Sequence, residues 1–164
     1  MSLQSTEINS VRISFDKDKT KEYRTNYNNP CDCQDCRNYY KNIESNGALL
    51  EFLSDFGIDY KRTEEVFSWD LENNSNSLIH SEGYYGVFGK IEGDEFSIEK
   101  FGTKIIFAKG ANVPSDRTGD YFWICVEADF PYILDEEREL QKNCFRQSEK
   151  SGFVEKVKAI FIKK

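Results

Sequence analysis

The spacing of apolar residues changes once along this chain, and that change constrains the fold more than any other feature. In residues 33–43, apolar side chains recur every three or four positions, which places them on one face of a helix. Beyond Ile58 they recur every second position, as in residues 67–71, which is typical of a half-buried strand. The pattern therefore predicts an α+β fold, with helices before a sheet.

The helical part is predicted to be a pair that lies before Ile58. Asn29-Pro30 has the composition of a helix start, because Asn caps free amide groups and Pro is tolerated in the first turn. Asn46-Gly47 interrupts the apolar pattern, and Gly57 stands where a helix-ending residue is expected. These signals are compatible with a helical hairpin or with one bent helix.

The helical pair is predicted to pack on a mostly antiparallel sheet of about five or six strands, because the connections between strand candidates are short. A separate short strand is predicted at Val11–Phe15, and the charged, Asn-rich residues 16–29 are predicted to form a loop. Residues 121–126 are apolar on both faces, which indicates a central strand. The strand candidates in the second half are residues 67–71, 84–91, 95–98, 103–108 and 121–128. Residues 153–162 fit either a helix or a strand, and a carboxy-terminal helix is the preferred prediction.

Size and charge narrow the class of protein. The 164 residues, with 13 Phe and 9 Tyr to fill a core, predict a single domain over residues 1–164. The net charge of −7 repels a phosphate backbone, so no nucleic-acid partner is expected. The sequence contains no apolar run of about 18 residues, so no membrane partner is expected either.

Three of the five cysteines, Cys31, Cys33 and Cys36, lie within six residues of one another. They are too close together to connect distant parts of a fold, which favours a reducing, cytoplasmic setting over a secreted disulfide scaffold. Three thiolates and one further ligand suit a four-coordinate zinc ion. The candidates for the fourth ligand are Cys125, Cys144, His80 and a carboxylate.

Convergence of the three sulfur atoms depends on where the helix begins. If it begins at Pro30, a turn of about 100° per residue puts Cys31 roughly 160° from Cys33, and one ion cannot bind all three sulfurs. If Asp32 or Cys33 is the cap, Cys31 lies on a preceding turn and the sulfurs can meet. A helix start is also expected to lower the pKa of a thiol.

Other interpretations of these residues remain open. Cys33 and Cys36 can be small core residues, or two neighbouring thiols can act as a redox pair or a nucleophile. His80 is the only histidine and is expected at the surface, although any Cys–His pair has to use it. The acidic groups Glu64-Glu65 and residues 135–137 are expected to be solvated. No glycine-rich phosphate loop is present.

Three sequence blocks together span most of the chain. They are Asn29-Pro30-Cys31-x-Cys33-x-x-Cys36-Arg37-Asn38-Tyr39, Phe56-Gly57-Ile58-Asp59 and Phe130-Pro131-Tyr132-Ile133-Leu134-Asp135-Glu136. In these blocks the chain resembles a family of uncharacterised bacterial proteins, mainly from Gram-positive species. The resemblance implies a bacterial, cytoplasmic protein and no particular activity.

Three functional hypotheses follow, in this order. The first is a non-catalytic module that binds another protein, based on the acidic composition, the aromatic-rich sheet and the lack of a complete catalytic group. The second is a small zinc protein that uses Cys31, Cys33 and Cys36. The third is an enzyme that uses a cysteine or paired acids.

Overall fold

A computed structural model of the chain describes residues 3–25, 30–71, 78–111, 113 and 115–138. The chain divides into two compact units, Met1–Leu134 and Asp135–Lys164. Of the second unit the structure describes residues 135–138, which contain no helix or strand. The carboxy-terminal helix predicted at residues 153–162 and the candidate ligand Cys144 lie outside the described residues, and the single domain stays a prediction.

The first unit confirms the α+β prediction, with helices before most of the strands. The described helices are α1 (Lys17–Thr25), α2 (Gln34–Glu44) and α3 (Gly47–Asp55). The described strands are β1 (Gln4–Ile8), β2 (Val11–Phe15), β3 (Glu65–Asp70), β4 (Leu78–Glu92), β5 (Phe96–Lys100), β6 (Thr103–Ala108) and β7 (Tyr121–Pro131). The sheet has seven strands because β1, which the sequence pattern did not reveal, pairs with β2.

The strand order is β1-β2-β4-β7-β6-β5, and each of these pairs is antiparallel. The long strand β4 pairs along one edge with two strands, β3 near its start and β2 near its end. Strand β7 lies between β4 and β6, which confirms the central position expected from its apolar sequence. Its side chains alternate between two separate clusters, one on each face of the sheet.

Helices α2 and α3 pack on one face of this sheet and form the main core with it. Tyr39 and Ile43 of α2 and Leu53 of α3 are fully buried beside Ile124 and Val126 of β7. On the opposite face, a smaller cluster contains the side chains of Tyr84, Val113, Trp123 and Cys125. Burial of apolar surface on the helical face is the main stabilising contribution.

The end of β7 is fixed to α2 by hydrogen bonds. The side-chain amides of Asn38 and Asn42 donate to the Pro131 carbonyl at 3.2 and 3.0 Å, and the Ile133 amide donates to Asn38 Oδ1 at 2.9 Å. Both asparagines are buried, so these bonds satisfy polar groups that would otherwise be costly to bury. They set the position of α2 on the sheet.

The structure separates the helical pair into two helices and adds a helix, α1, where a loop was expected. The helical pair is two separate helices, because Asn46 caps α3 by accepting a bond from the Leu49 amide at 3.2 Å. The loop expected over residues 16–29 is wrong for α1. Asp16 begins this helix by accepting a bond from the Lys19 amide at 2.9 Å, but the helix has too few apolar residues to show a period.

No helix within the described ranges is long and apolar enough to cross a membrane.

Candidate metal site

The three clustered cysteines lie at the start of α2, which begins four residues later than Pro30. Cys33 is the N-cap, with an extended backbone (φ −62°, ψ 161°), and the first helical residue is Gln34. The Arg37 guanidinium donates to the Asp32 carbonyl at 2.7 Å and holds the preceding segment against the first turn. A helix start at Asn29-Pro30 is therefore wrong, and the alternative in which the cysteines converge is the one observed.

The sulfur atoms of Cys31, Cys33 and Cys36 all lie within 4.8 Å of one another. Cys36 is buried in the main core, Cys33 is partly buried against that core, and Cys31 is exposed. The group therefore extends from the core to the solvent. A ligand can reach the three sulfurs from the exposed Cys31 side, whereas the Cys36 side is buried in the core.

This spacing fits a zinc ion. With Zn–S bonds of about 2.3 Å and tetrahedral angles, two sulfur ligands are about 3.8 Å apart. The three sulfurs are thus within about 1 Å of the separations that zinc requires. Rotation of the side chains is enough to close that difference, since the backbone around the cap already directs all three sulfurs to one place.

The protonation of the thiols differs from the expectation for a helix start. Burial raises the pKa of the Cys31 thiol. The hydrogen bond with Cys33 raises the pKa of Cys36, and burial raises it further. For these two thiols the direction is opposite to the lowering expected at a helix start, and burial contributes to both shifts. A metal that binds both thiolates has to displace their protons.

Glu65, the first residue of β3, lies near this group. Strand β3 packs against α2, and the Glu65 side chain is half-buried. Burial raises the pKa of its carboxyl group, and electrostatic repulsion from Cys33 contributes to the same shift. One carboxylate oxygen, Oε1, accepts a bond from the Val66 amide at 3.2 Å. The group of ligand atoms that all lie within 4.8 Å of one another contains the three sulfurs and not Glu65, so the Glu65 side chain has to move to act as a fourth ligand.

Two other candidates for the fourth ligand lie elsewhere. The Cys125 side chain is buried in the smaller cluster with Trp123, on the sheet face opposite Cys36. Burial raises the pKa of Cys125 well above its usual value. His80, on β4, contacts Glu82, Glu127 and Asp129 and not the cysteines. Neither residue can complete the cysteine group in this fold.

His80 is less exposed than a free surface residue, because 16% of its side chain is exposed and the rest is covered by its neighbours. It lies on the sheet face opposite α2, where three carboxylates surround the imidazole. This group of one histidine and three carboxylates was not predicted from the sequence. A signal was present, because the spacings His80-x-Glu82 and Glu127-x-Asp129 place each pair on one face of its own strand.

Glu64 also differs from its expected solvated position. Its carboxylate forms an ion pair with Arg117, and the two side chains are 3% and 0% exposed. The Arg117 guanidinium lies over the Tyr23 ring, 4.1 Å from the ring centre. This pair is buried between the sheet and α1, and its role is structural.

The fold and the site together define an α+β protein with a group of three cysteines that could bind a metal. Comparisons of the chain with family models, with curated proteins and with solved structures gave no match.

Proposed function

We propose that this chain is a small zinc protein in which Cys31, Cys33 and Cys36 bind one Zn²⁺ ion. The observation that carries the proposal is the convergence of three sulfur atoms within 4.8 Å at the start of α2. Thiolates are preferred zinc ligands, and three of them with one more protein ligand make a closed structural site. The bacterial origin implied by the sequence resemblance stays a prediction.

The fourth ligand in this proposal is the carboxylate of Glu65. With this ligand, the ion connects the segment before α2, the first turn of α2 and the start of β3. Such a connection stabilises the packing of the helical pair on the edge of the sheet, because a structural zinc ion binds the folded chain and not the unfolded one. The proposed role of zinc is therefore to hold the fold together.

A cytoplasmic setting is part of the proposal. None of the four described cysteines forms a disulfide, and three of them lie close together. A reducing compartment keeps such thiols available for a metal.

The other two hypotheses have less support. An exposed apolar patch would support a protein-binding module, but in the described ranges the exposed large hydrophobic residues are Leu3 and Trp69 alone. The pKa values of Cys31 and Cys36 are raised, which argues against these two thiols as nucleophiles, because a nucleophilic cysteine needs a lowered pKa.

Substitution of Glu65 by glutamine tests the ligand set. We expect the zinc affinity of Glu65→Gln to fall at least about tenfold, because a neutral amide is a poorer zinc ligand than a carboxylate. The measurement is a competition titration against a chromogenic chelator. The matched control is Glu99→Gln, on exposed β5, which should bind zinc as the unmodified chain does. Equal affinities for the two variants would exclude Glu65 as a ligand, and no measurable zinc affinity in the unmodified chain would contradict the proposed function.

A further inference from the structure

The carboxylates around His80 form a group that is separate from the cysteines. In the antiparallel pair β4 and β7, His80 lies opposite Asp129 and Glu82 lies opposite Glu127. Residues two apart on a strand share a face, so all four side chains stand on the face opposite α2 and α3. This placement is fixed by the strand register.

The imidazole of His80 is oriented by Asp129. Its Nδ1 lies 2.6 Å from Asp129 Oδ1. A carboxylate can only accept, so Nδ1 carries the proton and donates it. In the neutral ring this leaves the lone pair on Nε2, on the side of the ring that faces the two glutamates. A carboxylate on the far nitrogen is the usual partner of a metal-binding histidine.

Two glutamate oxygens face this lone pair. Nε2 lies 3.6 Å from Glu127 Oε1 and 3.9 Å from Glu82 Oε1. Ligand atoms that share one ion at about 2.0–2.2 Å are about 2.9–3.4 Å apart. These two separations exceed this range by less than about 1 Å. The two glutamate oxygens are farther from each other, because His80, Glu82 and Glu127 are not among the described residues whose ligand atoms all lie within 4.8 Å of one another. Both glutamate side chains therefore have to rotate towards Nε2 when an ion binds.

The second oxygen of each glutamate is held by a residue outside the group. The Tyr84 hydroxyl donates to Glu82 Oε2 at 2.8 Å, and the Lys104 ammonium donates to Glu127 Oε2 at 2.9 Å. The Trp69 ring stacks on the imidazole with the ring centres 4.5 Å apart. Each of the three side chains is thus supported by a contact with a residue outside the proposed ligands.

The group also carries excess negative charge in a partly buried place. Three carboxylates and the Lys104 ammonium give it a formal charge of −2 when the imidazole is neutral. The side chains of Glu82 and Glu127 are 19% and 22% exposed. Burial raises the pKa of Glu82, and the neighbouring Glu127 carboxylate raises it further. A divalent cation at this point would balance the charge.

We propose that His80, Glu82 and Glu127 form a second metal site, for a divalent transition-metal ion, with Asp129 as a positioning residue. Nitrogen and carboxylate ligands suit Mn²⁺ better than a thiolate site does, so the two sites should prefer different ions. The site does not depend on the proposed zinc function. Its side chains come from β4 and β7, whereas the cysteines belong to the segment that begins α2.

The test is a Mn²⁺ titration of the full chain, followed by the loss of the free-ion electron paramagnetic resonance signal. We expect one Mn²⁺ ion to bind per chain. His80→Gln should weaken binding at least about 100-fold, and Asp129→Asn about 10–100-fold, because Asp129 only orients the imidazole. Circular dichroism should show that both variants are folded.

Two controls make the result decisive. Glu51→Gln, at an exposed acid on α3, and Cys36→Ser, at the cysteine site, should both bind Mn²⁺ as the unmodified chain does. The proposal is overturned if the unmodified chain does not bind one equivalent, or if folded His80→Gln and Asp129→Asn bind as tightly as it does. Loss of binding in Cys36→Ser alone would place Mn²⁺ at the cysteines and also overturn it.

Discussion

Replacing Cys36 by serine is expected to abolish stabilisation of the chain by zinc. Cys36 is the buried member of the cysteine group, and a serine hydroxyl is a much poorer zinc ligand than a thiolate. When free zinc is a hundredfold above its dissociation constant, binding stabilises the fold by about 2.7 kcal/mol. The unmodified chain should therefore unfold at a higher temperature with zinc than without it, and Cys36→Ser should not.

Cys125→Ser is the matched control for this experiment. Cys125 is also buried, but it lies on the opposite face of the sheet. Its substitution should destabilise the fold through lost packing and still leave the zinc-dependent increase in unfolding temperature intact. If both serine variants keep that increase, zinc does not bind through Cys36, and Cys36 is a core residue only.

Replacing Glu64 by alanine is expected to destabilise the fold by about 3–5 kcal/mol, because it leaves the buried charge of Arg117 without a counter-ion. The Nε and Nη2 atoms of Arg117 have no hydrogen-bond partner among the described residues, so the Glu64 carboxylate is the main compensation for this charge. Urea unfolding of the variant measures the loss as a lower midpoint at an unchanged slope.

Two comparisons separate this effect from a general loss of packing. A double variant, Glu64→Leu with Arg117→Met, removes both charges and should regain much of the lost stability. Glu44→Ala breaks the exposed pair of Glu44 with Lys61 and should change stability far less. A double variant less stable than Glu64→Ala would contradict the argument from buried charge.

The period of the apolar residues was sufficient to predict the fold class. The change in the spacing of apolar residues near Ile58 predicted the helical pair and the sheet. The apolar residues on both faces of β7 predicted its central position. Helix α1 was missed because it is held by the Asp16 cap and by contacts with β4, and not by an apolar stripe of its own. Strand β1 was missed for a similar reason, because its side chains are mostly exposed and form no apolar stripe.

From the sequence, the candidate site could be predicted only on the condition that the helix begins after Pro30. The sequence shows that Cys31, Cys33 and Cys36 converge if the helix begins late, but a shift of a few residues in the helix start decides the outcome. The neighbourhood of Glu65 and the burial of Glu64 depend on how β3 packs and on Arg117, which is 53 residues away. Long-range packing of this kind leaves no local pattern in a single sequence.

The coordination of zinc can be measured by X-ray absorption at the zinc edge, on the chain loaded with one equivalent of Zn²⁺. We predict a four-coordinate ion with three sulfur atoms at about 2.3 Å and one oxygen atom at about 2.0–2.2 Å. A first shell made only of nitrogen and oxygen atoms would mean that zinc binds away from Cys31, Cys33 and Cys36, and would exclude the proposed site.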